Sequence, residues 1–232
     1  MFFKLDEFWR VGYHVDPLSV SLEYQGGGRF DDPNGEFTVL YGSDSAETCI
    51  IEKASPWKPH EDSPYTQQAE APISDDDHDL QRAELEQAER DREIAMRSAR
   101  IPVDLYESAK VLVELAQPVV LLDLDDVGVR TDLVRIPEIA QKMRLAGVSS
   151  LDRSVLLGRH LDITRAISGF VMRNQVGRHQ FDGLRMISRH QGDAYVLFEG
   201  RYRLGIRLVG PMTLHREDPD VVNAALKLRL VP

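Results

Sequence analysis

The 232-residue sequence predicts an α+β fold, a compact single domain with a small mixed sheet flanked by helices. Short β-rich runs at 37–41, 118–123 and 184–187 alternate with stretches of helical periodicity, as at 136–146 and 162–174. The chain is long enough to bury a substantial core, and its 42% apolar content is ordinary for a globular protein. No internal repeat is visible.

The elements follow in order. Residues 8–15 read as an aromatic strand holding Arg10, either an edge residue or one aimed into a cleft. Gly26-Gly27-Gly28-Arg29 comes next, a flexible backbone followed by a rigid donor fork suited to anions. Asp-Pro-Asn-Gly makes a tight turn, and 37–41 a strand ending in Tyr41. Residues 45–53 form a helix that Ser45 can cap, with Ile50 and Ile51 apolar, Cys49 a buried thiol and Glu52 near the end. The plain reading of this whole stretch is a hairpin with a surface arginine.

From Ser55 to Asp77, prolines 56, 59 and 64 and mounting acidity mark a linker. Residues 79–99 then read as a solvated acidic helix with Leu80, Leu85, Ala88 and Ile94 as a thin apolar stripe. Asp75, Asp76, Asp77 and His78 suit a helix start and match no metal-ligand spacing. A second helix is expected from Pro102 or Val103 to Ala116, then a buried strand over 118–123. Asp123, Asp125 and Asp126 cap the turn that follows. Helices at 136–146, stopped by Gly147, and 162–174, with Gly177 just beyond, precede a strand over 184–187. Ser188 stands at its end. Strands at 195–198 and 204–209 and a helix at 219–230 behind Asp218 complete the chain.

The net charge of −10 is concentrated in one place. Residues 61–93 hold twelve acidic side chains against three arginines, and the remainder, with 25 basic and 26 acidic residues, is nearly neutral. The body is therefore neither a nucleic-acid-binding nor an acidic surface. No run approaches the roughly 18 apolar residues of a membrane span. The first residues lack the pattern of a signal peptide, and the single cysteine excludes an intramolecular disulfide, so a cytoplasmic location is expected.

Nucleotide loops of the dinucleotide-fold or Walker type, a Gly-x-Ser-x-Gly elbow and histidine–glutamate zinc spacings are all absent. What remains is Arg10, Arg29, Tyr41, Glu52 and Ser188, with His190 a further group to test. Two arginines suit a pyrophosphate and a tyrosine face suits a planar base. A glutamate suits an anomeric carbon that becomes cationic, and a serine suits a ribose hydroxyl or a carboxamide. Together these describe NAD cleaved at its nicotinamide–ribose bond.

Gly27-Gly28-Arg29-Phe30 with its turn, Val39-Leu40-Tyr41 and, eleven residues later, Glu52 resemble the front half of the RES domain. Asp182-Gly183-Leu184-Arg185-Met186-Ile187-Ser188-Arg189-His190 resembles its back half. The family's arginine, glutamate and serine are matched by Arg29, Glu52 and Ser188, and Arg10 and Tyr41 fall where it has pocket residues. The resemblance spans about residues 8–58 and 101–200. It implies a fold related to ADP-ribosyltransferase toxins and NAD degradation by phosphorolysis or hydrolysis. Glu52, Arg29 and Ser188 would be catalytic, and Arg10, Arg29, Tyr41 and Ser188 would bind NAD. No cofactor or metal is implied; NAD is the substrate and phosphate a candidate co-substrate. The implied partner is an antitoxin with an Xre-like DNA-binding domain, with a homodimer also open. Two features depart from the family: the long acidic insertion at about 60–100, and Asp31-Asp32, whose carboxylates beside an anion site would weaken phosphate binding. Two alternatives stay open, transfer of ADP-ribose to a protein acceptor and a non-catalytic binding or immunity module.

Overall fold

The computed structural model describes residues 2–20, 28–32, 34–55, 100–158, 160–174, 176, 179–190, 192–201 and 205–232. The expected linker, the acidic helix of 79–99, the aspartate cluster at 75–77, Gly26, Gly27 and Gly177 lie outside the described residues.

Six strands form one mixed sheet. The long strands β1 (Phe2–Tyr13) and β3 (Ser108–Asp123) run antiparallel from Phe2↔Leu122 to Tyr13↔Ser108, with an irregularity between Leu5 and Glu7. On its other side, the first half of β3 pairs antiparallel with β6 (Ile206–Thr213), while its last residues pair in parallel with β4 (Gly183–Ile187). Strand β5 (Asp193–Phe198) lies between β4 and β2 (Val39–Ser43), antiparallel to both. The pair Trp9↔Ser43 joins β2 back to β1, so five strands are linked in a ring. Among the described residues six α-helices surround the sheet: α1 (Ala46–Ala54), α2 (Val127–Val134), α3 (Pro137–Leu145), α4 (Arg153–Leu157), α5 (Leu161–Arg173) and α6 (Pro219–Leu228). The fold is α+β, as the sequence predicts. None of these helices is long and apolar enough to cross a membrane.

One expectation is overturned. Residues expected to form a second helix up to Ala116 make a short 3-10 turn (Val103–Glu107) and then the first half of β3. Lys, Leu, Glu and Ala are good helix formers, but Val111 and Val113, two apart, both face the core of the strand ring, a spacing that suits a strand. Pairing with β1 on one side and β6 on the other decides the state, because both partners are remote in sequence. Pro118, which lacks an N–H, sits where the β1–β3 register shifts. Within the described residues the other expected elements appear, most within a few residues of their expected bounds; β1 starts at Phe2, six residues before the strand expected over 8–15, and α2 and α4 have no counterpart in the sequence reading.

Alternating residues sort to two faces. Val196 and Phe198 join Leu122, Leu184 and Met186 beneath α2–α5, where Leu133, Ile139, Met143, Ile163, Ile167 and Val171 are almost wholly buried. Tyr195 and Leu197 point into the strand ring with Leu5, Phe8, Leu40, Val111, Val113 and Leu121. A third cluster packs α1 on α6 through Ile50, Ile51, Ala54, Val221, Ala225 and Leu228. Burying each such branched side chain contributes about 1.5–3 kcal/mol. This packing fixes the helix that carries Glu52.

Candidate functional site

Helix α1 begins at Ser45, whose hydroxyl accepts from Thr48 N at 3.1 Å. One side of the helix is sealed by Ile50, Ile51 and Ala54, which leaves Glu52 exposed near its C-terminus. Ser188, 3% exposed, is the first residue beyond β4. Its N–H donates to Gly192 O at 2.7 Å, and its Oγ accepts from His190 N at 3.0 Å. The same hydroxyl donates to Glu52 Oε1, a bond that spans 136 residues of sequence. His190 thus supports the turn through its backbone N–H.

A charged cluster fixes the end of β4 just before Ser188. Asp125 Oδ2 accepts from Ile187 N, and its other oxygen pairs with Arg153 Nε at 3.3 Å. Arg185 bonds Asp123 at 3.0 Å and Asp193 at 2.5 Å, which joins β4, β5 and the β3 terminus. Burial lowers the pKa of Arg185, but its bonds to Asp193 and Asp123 outweigh that and hold it above the usual value. Asp126 caps α2 by accepting from Val129 N, so the aspartates serve the turn, as the sequence suggests.

The arginine loop is tied down by its own carboxylates. Asp31 accepts from Gly28 N at 2.6 Å and from the Tyr41 hydroxyl at 2.8 Å, while that hydroxyl accepts from Phe30 N at 3.0 Å. A Cβ at Gly28 would lie 2.6 Å from both Asp31 Oδ1 and the Tyr41 oxygen, so only glycine fits. Asp32, 5% exposed, accepts from Asn34 N and Glu36 N and closes the turn. Thus the two carboxylates expected to oppose an anion are bound to loop donors instead. Phe30 is buried among α5 residues, and Thr164 Oγ1 donates to Arg29 O at 2.6 Å, docking the loop on α5.

Arg29 donates through Nη1 to Gly158 O, just past α4. Burial first, and then the nearby Arg189 guanidinium, hold its pKa below the ordinary value, while Glu52 and Tyr41 act in the opposite sense. Arg189, Glu52 and Tyr41 therefore each lie within electrostatic reach of Arg29. The Tyr41 hydroxyl is buried although the residue is 38% exposed overall, and burial followed by Asp31 pushes its pKa well up. Arg10 is placed differently from the other expected residues. It donates to the carbonyls of Pro17, Tyr41 (2.9 Å) and Ser19 (3.2 Å), bracing the loop after β1 against the backbone of β2.

A cavity of about 500 Å³ opens beside Ser188, lined by Arg153, Ser154, Leu157, Ile187, Ser188 and Arg189. Of the five residues expected from the sequence only Ser188 lines it; Glu52 reaches it through its bond to Ser188, and Arg29 through the carbonyl next to Leu157. Arg189 and Arg153 carry no role in the sequence reading. The signal for Arg189 was its place directly after Ser188; for Arg153 none existed.

Ser188 and Glu52 meet, Arg29 lies within electrostatic reach of Glu52, and residues 7–213 match the RES domain. The chain belongs to the RES domain family. No curated protein sequence matches it. Among solved structures, this RES domain is similar to a chain in the crystal structure of the M. tuberculosis MbcT–MbcA toxin–antitoxin complex. The two share 17% identity with a TM-score of 0.50, over 98% of this chain and 89% of that one. At that identity the likeness is one of fold.

Proposed function

We propose that this RES domain is an NAD-degrading enzyme that cleaves the nicotinamide–ribose bond, and that it is the toxin of a toxin–antitoxin pair. The observation that carries the reading is the hydrogen bond from Ser188 to Glu52, with Arg29 within electrostatic reach of the same carboxylate. In NAD the nicotinamide is a pyridinium. When its bond to the anomeric carbon breaks, the electron pair moves to the ring nitrogen and the base leaves neutral, without a general acid. Positive charge develops on the ribose carbon instead, and a carboxylate held in advance stabilises it. Glu52 fills that role, and Ser188 holds its orientation. The half-open face of Tyr41 suits a planar ring, and Arg29 suits the diphosphate. An oxygen of water or phosphate then bonds to the anomeric carbon, giving free ADP-ribose or its 1-phosphate.

Family membership supports the same chemistry. The toxin role draws support from the toxin–antitoxin complex whose chain shares this fold. The expected inhibitor is an antitoxin with an Xre-like domain. The test is nicotinamide release from NAD by purified, antitoxin-free protein, with and without phosphate. Release without label on any protein favours degradation over ADP-ribosyl transfer, and free ADP-ribose against its phosphate ester names the acceptor. No release under either condition, from folded protein, would sink the reading.

A further inference from the structure

Two guanidinium groups meet at the end of α4. Arg189 Nη2 donates to Leu157 O at 2.9 Å, and Arg29 Nη1 donates to the next carbonyl, Gly158 O. Consecutive carbonyls at a helix C-terminus are good anchors for cations, since they lack intrahelical partners and carry the negative end of the dipole. The anchors also hold two like charges side by side, and each guanidinium keeps further N–H donors beyond the one spent on the carbonyl. Among the described residues neither forms a salt bridge within 4.0 Å; Glu52 and Tyr41 compensate Arg29 only through longer-range electrostatics. Two other arginines near this end of the sheet are paired with carboxylates: Arg185 with Asp123 and Asp193, Arg153 with Asp125. The cavity lined by Arg189 and Ser188 lies directly alongside.

We infer that Arg189 is a further substrate-binding residue, and that Arg29 and Arg189 together form a two-guanidinium cradle for the diphosphate of a dinucleotide. Arg10, the other candidate for this pairing, directs its donors to three backbone carbonyls instead. An anion of two adjacent phosphates matches two forks anchored on neighbouring carbonyls, and its arrival relieves the repulsion between them. Arg153, which lines the same cavity, pairs with Asp125 and takes no part in the cradle.

The inference rests on the proposed NAD chemistry, so its test has two arms. In the first, Arg189→Gln and Arg189→Lys are compared with the unaltered protein for turnover of NAD and of nicotinamide riboside, which has no phosphates. Loss of a charge-assisted contact predicts a KM for NAD raised roughly 10- to 100-fold in Arg189→Gln, with a far smaller change in kcat. Arg189→Lys should keep part of the affinity, since it retains the charge without the fork. The KM for nicotinamide riboside should move less than about threefold. A residue that only braces α4 would shift both substrates alike, and that result would overturn the cradle. The second arm measures binding of inorganic diphosphate by calorimetry and needs no turnover. Binding that weakens at least about tenfold in Arg189→Gln upholds the cradle even if NAD is never cleaved. No binding by the unaltered protein, or equal binding by the variant, overturns it.

Discussion

At the residue scale the site depends on single hydrogen bonds between distant parts of the chain. Ser188→Ala removes the donor to Glu52 and the acceptor for His190 N. Because Ser188 is buried, the loss should cost about 1–2 kcal/mol of stability in a urea titration. It should also lower kcat roughly 10- to 100-fold by freeing the carboxylate. Tyr41→Phe keeps the ring but strips Asp31 and Phe30 N of a shared partner. Stability should fall by about 1–3 kcal/mol, and KM for NAD should rise because the Arg29 loop loses its tether. Residue type and the family resemblance single out Arg29, Tyr41, Glu52 and Ser188 in the sequence, and the structure joins Ser188 to Glu52 and Tyr41 to the Arg29 loop. The sequence could not rank the arginines. Whether a guanidinium faces a cavity or a run of carbonyls depends on loop closure, which separates Arg10 from Arg189 and leaves no local trace.

At the element scale the sequence was most legible where capping or periodicity is local. Ser45 and Asp218 cap α1 and α6 as expected, and Gly147, with φ of +66°, ends α3. It was least legible in β3, where helix-forming residues are held extended by β1 and β6. The same strand supplies Lys110, 7% exposed, whose Nζ lies 2.7 Å from Asp218 and 2.6 Å from Asp220 at the start of α6. Lys110→Ala leaves two carboxylates without their cation at a packed junction. Breaking such a pair should cost about 3 kcal/mol, softened by the access of Asp220 to water. A denaturation midpoint unchanged from that of the unaltered protein would show that the β3–α6 junction is held by apolar packing alone.

For the whole molecule, a thiol and two phenol hydroxyls are among the groups that hold their protons more tightly in the folded chain than in the unfolded one. Burial raises the Cys49 thiol from 9.0 to about 12, and burial followed by carboxylate neighbours raises the hydroxyls of Tyr41 and Tyr195. The unfolded chain therefore gives up these protons first as pH rises. Stability they contribute is complete below about pH 9 and is lost progressively between pH 9 and 12. Thermal melts across that range should show Tm falling steadily, and Cys49 should resist alkylation at pH 8 until the protein unfolds. A flat Tm from pH 8 to 11 would contradict the burial of these groups. All three lie on or against the ring of strands: Tyr195 in its core, Tyr41 on β2, and Cys49 with its Sγ donating to Trp9 O of β1 at 3.1 Å.

All three scales meet in Glu52, which α1 exposes, which accepts from Ser188 and which lies within electrostatic reach of Arg29. The most direct measurement is nicotinamide release from NAD by purified protein beside the Glu52→Gln variant, with folding of both checked by circular dichroism. The substitution removes charge with almost no change of volume at an exposed position. The predicted result is steady release by the unaltered protein and at least about a 100-fold loss of kcat in the folded variant. Release by the variant at an undiminished rate would contradict the assignment of this carboxylate to catalysis.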